Sequence, residues 1–334
     1  MGTTAFMTKK SFAETVPWYQ KFPFGDRAPY GLKVAKDKAR YLSAAPDPAG
    51  MKLASILIYT STPAMTTGYS PVPPGDWFTP GNHPNAEAYF LLKGEMCIFN
   101  PETGQYLMMK AGDAYTIPAF SFHGGFNFGD ETADILWAIP GHVWTEEFRD
   151  NPVYDAHYQN IRKSILLNAE TEHRHQKHAS WAQPGFRKGQ APESFLDDLR
   201  CWPPRKGQSV HADFDVDHNV MEEPRWLHFA TGSNYANSFL TSFVYSTEQF
   251  QAGRIKLPMG RVSSPLRLPG ERVYFPRGTK PFTVILSESG DALTGIEGDA
   301  LYVPPDTTHQ LHNTNEKTIE TYFFGAADVG GSLY

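Results

Sequence analysis

The chain has 334 residues, a formal net charge of −6, 28 glycines, 27 prolines and two cysteines. The length suggests about two domains, because single cores seldom grow past roughly 250 to 300 residues. No run of Lys and Arg dominates the sequence, which argues against a nucleic-acid partner or an anionic membrane surface. Cys97 and Cys201 lie far apart without a CxxC spacing, so neither a disulfide framework nor a zinc knuckle is on offer.

The first thirty residues show no long apolar core behind a basic start, and no later stretch approaches a membrane span, which reads as a protein that stays in the cytoplasm. Strand-like runs then cluster between Met51 and Pro140: LASILIY, AYFLL, EMCIF, AYTIP and ADILWAI are short, rich in β-branched and aromatic residues, and separated by Gly, Pro, Asn or Asp. From Glu146 the texture changes to spaced apolar positions with good helix formers, predicting a helix. The polar stretch TEHRHQKH follows, and its His173, His175 and His178 read as a solvated linker rather than a metal cluster. Between Phe239 and Gly325 the strand texture returns in FLTSFVY, RVYFP, PFTVIL, ALYVP and ETYFF. The expected organisation is an N-terminal β domain with an arm (residues 1–150), a partly helical interdomain segment (151–235) and a C-terminal β domain (236–334).

The two β regions repeat one another. Glu87 is followed seven residues later by Gly94, and Gly112 by Pro118, His123 and Asn127. In the second region Glu271 is followed seven later by Gly278, and Gly298 by Pro304, His309 and Asn313, with the same internal spacings. The interval from glutamate to the later histidine is 36 residues in one copy and 38 in the other, which points to a duplicated fold.

These motifs resemble those of the cupin family, and the pair of them resembles a two-domain cupin, or bicupin. Gly75, Gly81-Asn82-His83, Glu87 and Gly94 follow the first cupin motif with Gly81 in place of its first histidine. Gly112, Pro118, His123 and Asn127 follow the second motif, with Phe120 where a glycine is usual. The resemblance implies an all-β fold of two jelly-roll barrels in tandem, joined by the partly helical segment, and an oligomer in which a second, different subunit is an open question.

Residues of equal parity on a strand face the same side, so His83 and Glu87 can both point into a barrel, with His123 arriving on a later strand. Two histidines and a carboxylate with open positions form the facial-triad pattern associated with non-haem Fe(II) and O2. Mn, Ni and Zn suit the same donors. A glutamate aimed into an apolar barrel is costly unless a cation or strong donors satisfy it. Tyr89 and Tyr115 are the candidate proton or hydrogen-bond donors, while Trp77, Leu91, Phe120 and Phe126 are the candidate walls of an apolar substrate pocket.

In the second copy, counting back from Glu271 gives Arg267 and Pro265 where the histidines would stand, leaving Glu271 and His309. An internal Arg267–Glu271 ion pair is the expected replacement for a second metal. The bicupin dioxygenases of quercetin, gentisate and hydroquinone share this layout. The resemblance therefore implies a mononuclear metal-dependent dioxygenase that combines O2 with a small dihydroxylated aromatic or enol substrate. A non-oxidative decarboxylase, lyase or isomerase, and a non-catalytic binding or storage cupin, are the alternatives.

Overall fold

The computed structural model describes residues 31–36, 40–42, 56–81, 85–100, 105–117, 123–141, 227–231, 239–246 and 250–326. His83, Phe120, the helix expected from Glu146 and the His173/His175/His178 stretch lie outside the described residues. In chain order the strands of the first half are β1 (Leu32–Val34), β2 (Arg40–Leu42), β3 (Ile56–Ser61), β4 (Met65–Val72), β5 (Trp77–Gly81), β6 (Glu87–Lys93), β7 (Glu95–Asn100), β8 (Gln105–Lys110), β9 (Ala114–Ile117), β10 (His123–Phe126) and β11 (Ala133–Pro140). Those of the second half are β12 (Leu227–Thr231), β13 (Phe239–Ser246), β14 (Phe250–Leu257), β15 (Arg272–Pro276), β16 (Phe282–Leu286), β17 (Ala292–Gly295), β18 (Ala300–Val303), β19 (His309–His312) and β20 (Ile319–Ala326).

Four sheets result. A six-stranded sheet ordered β2-β3-β4-β11-β6-β9 faces a four-stranded sheet β5-β10-β7-β8, and the two enclose one core. A seven-stranded sheet β1-β18-β15-β20-β14-β13-β12 and a three-stranded sheet β17-β16-β19 enclose another. The fold is all-β, two jelly-roll barrels in tandem. β1 comes from the start of the chain yet pairs with β18, and β12, from the stretch between the two β regions, pairs with β13. Both ends of the seven-stranded sheet thus carry strands from outside the second repeat.

A third apolar cluster lies between the barrels and draws on both: Phe90 and Leu136 from the first meet Phe275, Tyr322 and Phe324 from the second. The Phe90 ring stands 4.5 Å from that of Tyr322 and 5.4 Å from that of Phe324. This double burial explains why β6 and β11 read as nearly continuous apolar runs rather than as alternating ones. One face of each fills its own barrel and the other packs against the neighbouring barrel.

Two strands that carry little β signal in sequence, β4 and β10, contain glycines whose space other side chains occupy. In β4, a Cβ on Gly68 would sit 2.1 Å from the Trp137 indole, so MTTGYSPV forms a strand because the indole of β11 occupies that space. The motif glycines repeat their backbone geometry across the two halves, Gly94 and Gly278 at φ 76° and 78°, Gly112 and Gly298 at 98° and 95°. These are turns open mainly to glycine.

The two motif asparagines are structural. Asn127 is fully buried; its Nδ2 donates to the carbonyls of Val72 and Glu131 and its Oδ1 accepts from the Gly129 N–H. Asn313 repeats this, donating to Leu257, Pro258 and Lys317 and accepting from Asn315. Each asparagine ties the end of the motif strand to the neighbouring hairpin. Asn127→Ala and Asn313→Ala should each cost about 2–4 kcal/mol, because several buried backbone groups lose partners at once. Urea unfolding of the two variants checks this, and equal losses in both halves are expected.

Candidate metal centre

Glu87 opens β6, where neighbours fix it on both sides. It lies opposite Ile117 of β9, and the adjoining Ala88 lies opposite Ala138 of β11. The preceding turn is anchored by Asn85, whose Nδ2 donates to the Pro140 carbonyl at 2.7 Å. His123 opens β10 directly across from Gly81 of β5, and a bulge follows between His123 and Gly125. Such irregularities re-aim a side chain beside a site. The register thus puts the carboxylate and the imidazole on two facing sheets.

Glu87 Oε2 and His123 Nε2 are 3.3 Å apart, and both residues are buried, 5 % and 6 % exposed. Two adjacent ligands held about 2.1 Å from one ion stand about 3.0–3.4 Å apart, from octahedral to tetrahedral geometry. The pair therefore has the separation a shared divalent ion demands. Among the described residues no group of three or more His, Cys, Asp or Glu side chains converges, and His83, the expected third ligand, lies outside them.

Tyr89 and Tyr115 face each other across β6 and β9, ring centroids 6.0 Å apart, and Tyr89 stands edge-on to His123 at 6.3 Å. Burial first, then the Glu87 charge, raises both phenols, and Tyr89 also hydrogen-bonds Glu87. Each stays a neutral donor at any physiological pH. Leu91 lies on the same barrel face, and Phe126 packs against this core. Trp77 is fully buried on β5 opposite Phe126. Sequence reasoning passed over Phe78, which packs edge-on against Tyr89 with centroids 6.3 Å apart. Its only sequence signal is its place between Trp77 and Gly81.

In the second barrel the strand register corrects the sequence count. Arg272 lies opposite Val303 and Tyr274 opposite Leu301, as Glu87 lies opposite Ile117 and Tyr89 opposite Tyr115. On the other flank Tyr274 meets Phe323 as Tyr89 meets Trp137. The counterpart of Glu87 is thus Arg272, not Glu271. The interval from Arg272 to Gly278 is one residue shorter than that from Glu87 to Gly94 because β6 bulges at Leu92, where Leu91 and Lys93 face consecutive residues of β11, whereas β15 pairs with β20 without a bulge. Leu266 bridges to His309 as Gly81 pairs with His123, and Leu268, four before Arg272, holds the place of His83. Leu266 and Leu268 are both buried.

Glu271 points instead to the interface between the barrels, where it accepts from the Thr62 hydroxyl at 2.5 Å and the Tyr302 hydroxyl at 3.2 Å. The expected Arg267–Glu271 pair does not form. Arg267 is exposed and its Nε lies 4.0 Å from Asp306. A one-residue offset moves a strand residue to the opposite face, which is why the count from Gly278 misplaced both.

His309, the counterpart of His123, lies 2.8 Å through Nε2 from the Tyr274 hydroxyl, and its Nδ1 is 2.9 Å from the Thr307 carbonyl. The carbonyl can only accept, so Nδ1 carries the proton and Nε2 accepts from Tyr274. Burial pushes the imidazole down to about 4; the Thr307 bond opposes the shift and the nearby Arg272 charge adds to it. No metal-binding donor set remains around it among the described residues.

Residues 68–139 match the family model described as Cupin domain. The chain is 27% identical over 165 residues to a 1-hydroxy-2-naphthoate 1,2-dioxygenase from Nocardioides sp. (strain KP7), an alignment spanning 47% of this chain and 37% of that relative. Among solved structures, AerE from Microcystis aeruginosa superposes with a TM-score of 0.52 at 11% identity, over 86% of this chain and 96% of that one. A variant of oxalate decarboxylase from Bacillus subtilis superposes with a TM-score of 0.55 at 13% identity, over 91% of this chain and 79% of that one. The first barrel thus carries a cupin domain, and the chain resembles these solved structures in fold. Among the described residues no helix is long and apolar enough to cross a membrane.

The His309 environment has a consequence for stability. Between pH 6.5 and 4 the unfolded chain binds a proton that the folded barrel refuses, so stability falls as pH drops through that window, by about 3 kcal/mol in all. Urea unfolding at pH 7 and pH 5 should show about 2 kcal/mol of this loss in the wild type and a shallower one in His309→Gln.

Proposed function

We propose that the N-terminal barrel holds one divalent metal on His83, Glu87 and His123, and that the protein is a mononuclear, Fe(II)-dependent dioxygenase of small hydroxylated aromatic or enol substrates. The observation that carries this reading is the 3.3 Å approach of Glu87 Oε2 to His123 Nε2 inside an apolar barrel. A buried carboxylate beside an imidazole is a costly arrangement that a shared cation relieves. The similarity to a 1-hydroxy-2-naphthoate 1,2-dioxygenase supports O2 chemistry on a hydroxylated ring. The likeness to oxalate decarboxylase supports the fold alone.

An Fe(II) ion bound there would acidify a coordinated substrate hydroxyl and bring it together with O2. The chain's own residues do the rest. Tyr89, hydrogen-bonded to Glu87, fixes the orientation of that carboxylate. Tyr115, protonated and facing Tyr89, is placed to donate to an oxygen of the substrate. Phe78, Leu91, Phe126 and Phe128 exclude water and offer apolar surface to a flat ring. Gly81, across from His123, adds no ligand, so a substrate with two oxygen donors has room beside it.

Protein purified anaerobically and reconstituted with Fe(II) is expected to hold one ion per chain and to consume O2 with hydroxylated aromatic acids or catechols. Glu87→Ala and His123→Ala should each weaken metal binding more than about 100-fold, beyond the loss typical of supporting residues. Arg267→Ala, altering only an exposed side chain, should leave metal content and turnover unchanged. Full metal retention in Glu87→Ala would sink the metal assignment. Turnover without O2 uptake would favour a non-oxidative reaction, and an inert metal-free protein a binding role.

A further inference from the structure

The second barrel buries a charge that its own residues leave poorly compensated. Arg272 is 1% exposed and stands on the inward face of β15 with Tyr274, in the register position that Glu87 holds in the first barrel. Its Nη2 donates to Gln251 Oε1 at 3.2 Å, its Cζ lies 4.6 Å over the Phe323 ring, and its buried Nε has no hydrogen-bond partner. Among the described residues no carboxylate pairs with it. Glu271, its neighbour in sequence, faces the other side of the strand and is engaged by Thr62 and Tyr302. The acceptor nitrogen of His309 is committed to Tyr274.

A guanidinium cannot escape burial by shedding its proton. Even with burial pushing it down to about 10, Arg272 remains charged at neutral pH. An uncompensated buried cation costs several kcal/mol, and a planar anion matches the fork of N–H donors that the guanidinium presents.

We propose that the C-terminal barrel is an anion site: a small monoanion, a carboxylate of one or two carbons, binds against Arg272 where the N-terminal barrel presents the Glu87 carboxylate. The duplicated site has kept its place in the fold while reversing its charge. Leu266 and Leu268, in the places of the first-motif histidines, keep cations out by offering no lone pair. Phe323 and Gln251 flank the guanidinium. The inference rests on the register and on Arg272, not on the metal reading of the first barrel.

The test uses the full chain with acetate as the probe. Acetate is exchanged for gluconate, a much larger monoanion, at constant ionic strength. Acetate at about 100 mM should raise the Tm of the wild type by a few degrees, as expected for a ligand that binds only the folded state. Arg272→Met, of similar length and uncharged, should lose this shift and keep the same metal content as the wild type. An acetate shift equal in both proteins, or absent from the wild type, would overturn the proposal. Should Arg272→Met fail to fold, wild-type crystals soaked in bromide carry the test. An anomalous peak beside Arg272 Nε supports the site, and none there overturns it.

Discussion

The structure turns on the central position of β6 between β9 and β11, and of β15 between β18 and β20 in the second barrel. Each strand is hydrogen-bonded on both sides, so its register is fixed twice and its side chains are assigned to faces without freedom. Glu87, Tyr89 and Leu91 are committed to the barrel interior, while Ala88 and Phe90 are committed to the contact between barrels. One strand thus positions the candidate metal ligand and cements the two halves. A slip of one residue would expel Glu87 from the barrel and bury it against aromatic rings.

That constraint also explains how the two halves diverged. The turns and asparagine clamps that hold the motifs in place are the same in both barrels, because they serve the backbone. The inward-facing side chains are free to differ, provided each buried polar group finds a partner. In the first barrel a carboxylate meets an imidazole at 3.3 Å. In the second, Tyr274 satisfies the imidazole of His309, and an arginine stands where the carboxylate would be. Glu271 has been given a different task, tying Thr62 of the first barrel to Tyr302 of the second.

Ten strand-like runs read from the sequence appear as strands, from the run ending at Tyr59 to the run ending at Phe324. They were legible because β-branched and aromatic residues clustered between turn residues. β4, β10 and β19 were not, since MTTGYSPV, HGGF and HQLH carry glycines and polar groups whose place in a strand depends on a neighbour such as Trp137. The pairing of β1 with β18 across the whole chain left no local trace at all.

The sequence by itself determined the duplicated all-β architecture, the turn glycines and motif asparagines of both copies, and the fact that the two halves differ, because turn glycines, strand composition and motif spacing are local properties. Only the tertiary structure decided which residue of the second copy faces inward. Spacing along the chain counts residues, whereas facing depends on register with both neighbouring strands, and a one-residue bulge at Leu92 of β6 that β15 lacks separates the two. That difference moved Glu271 to the interface, set Arg267 in solvent and placed Arg272 at the heart of the second barrel.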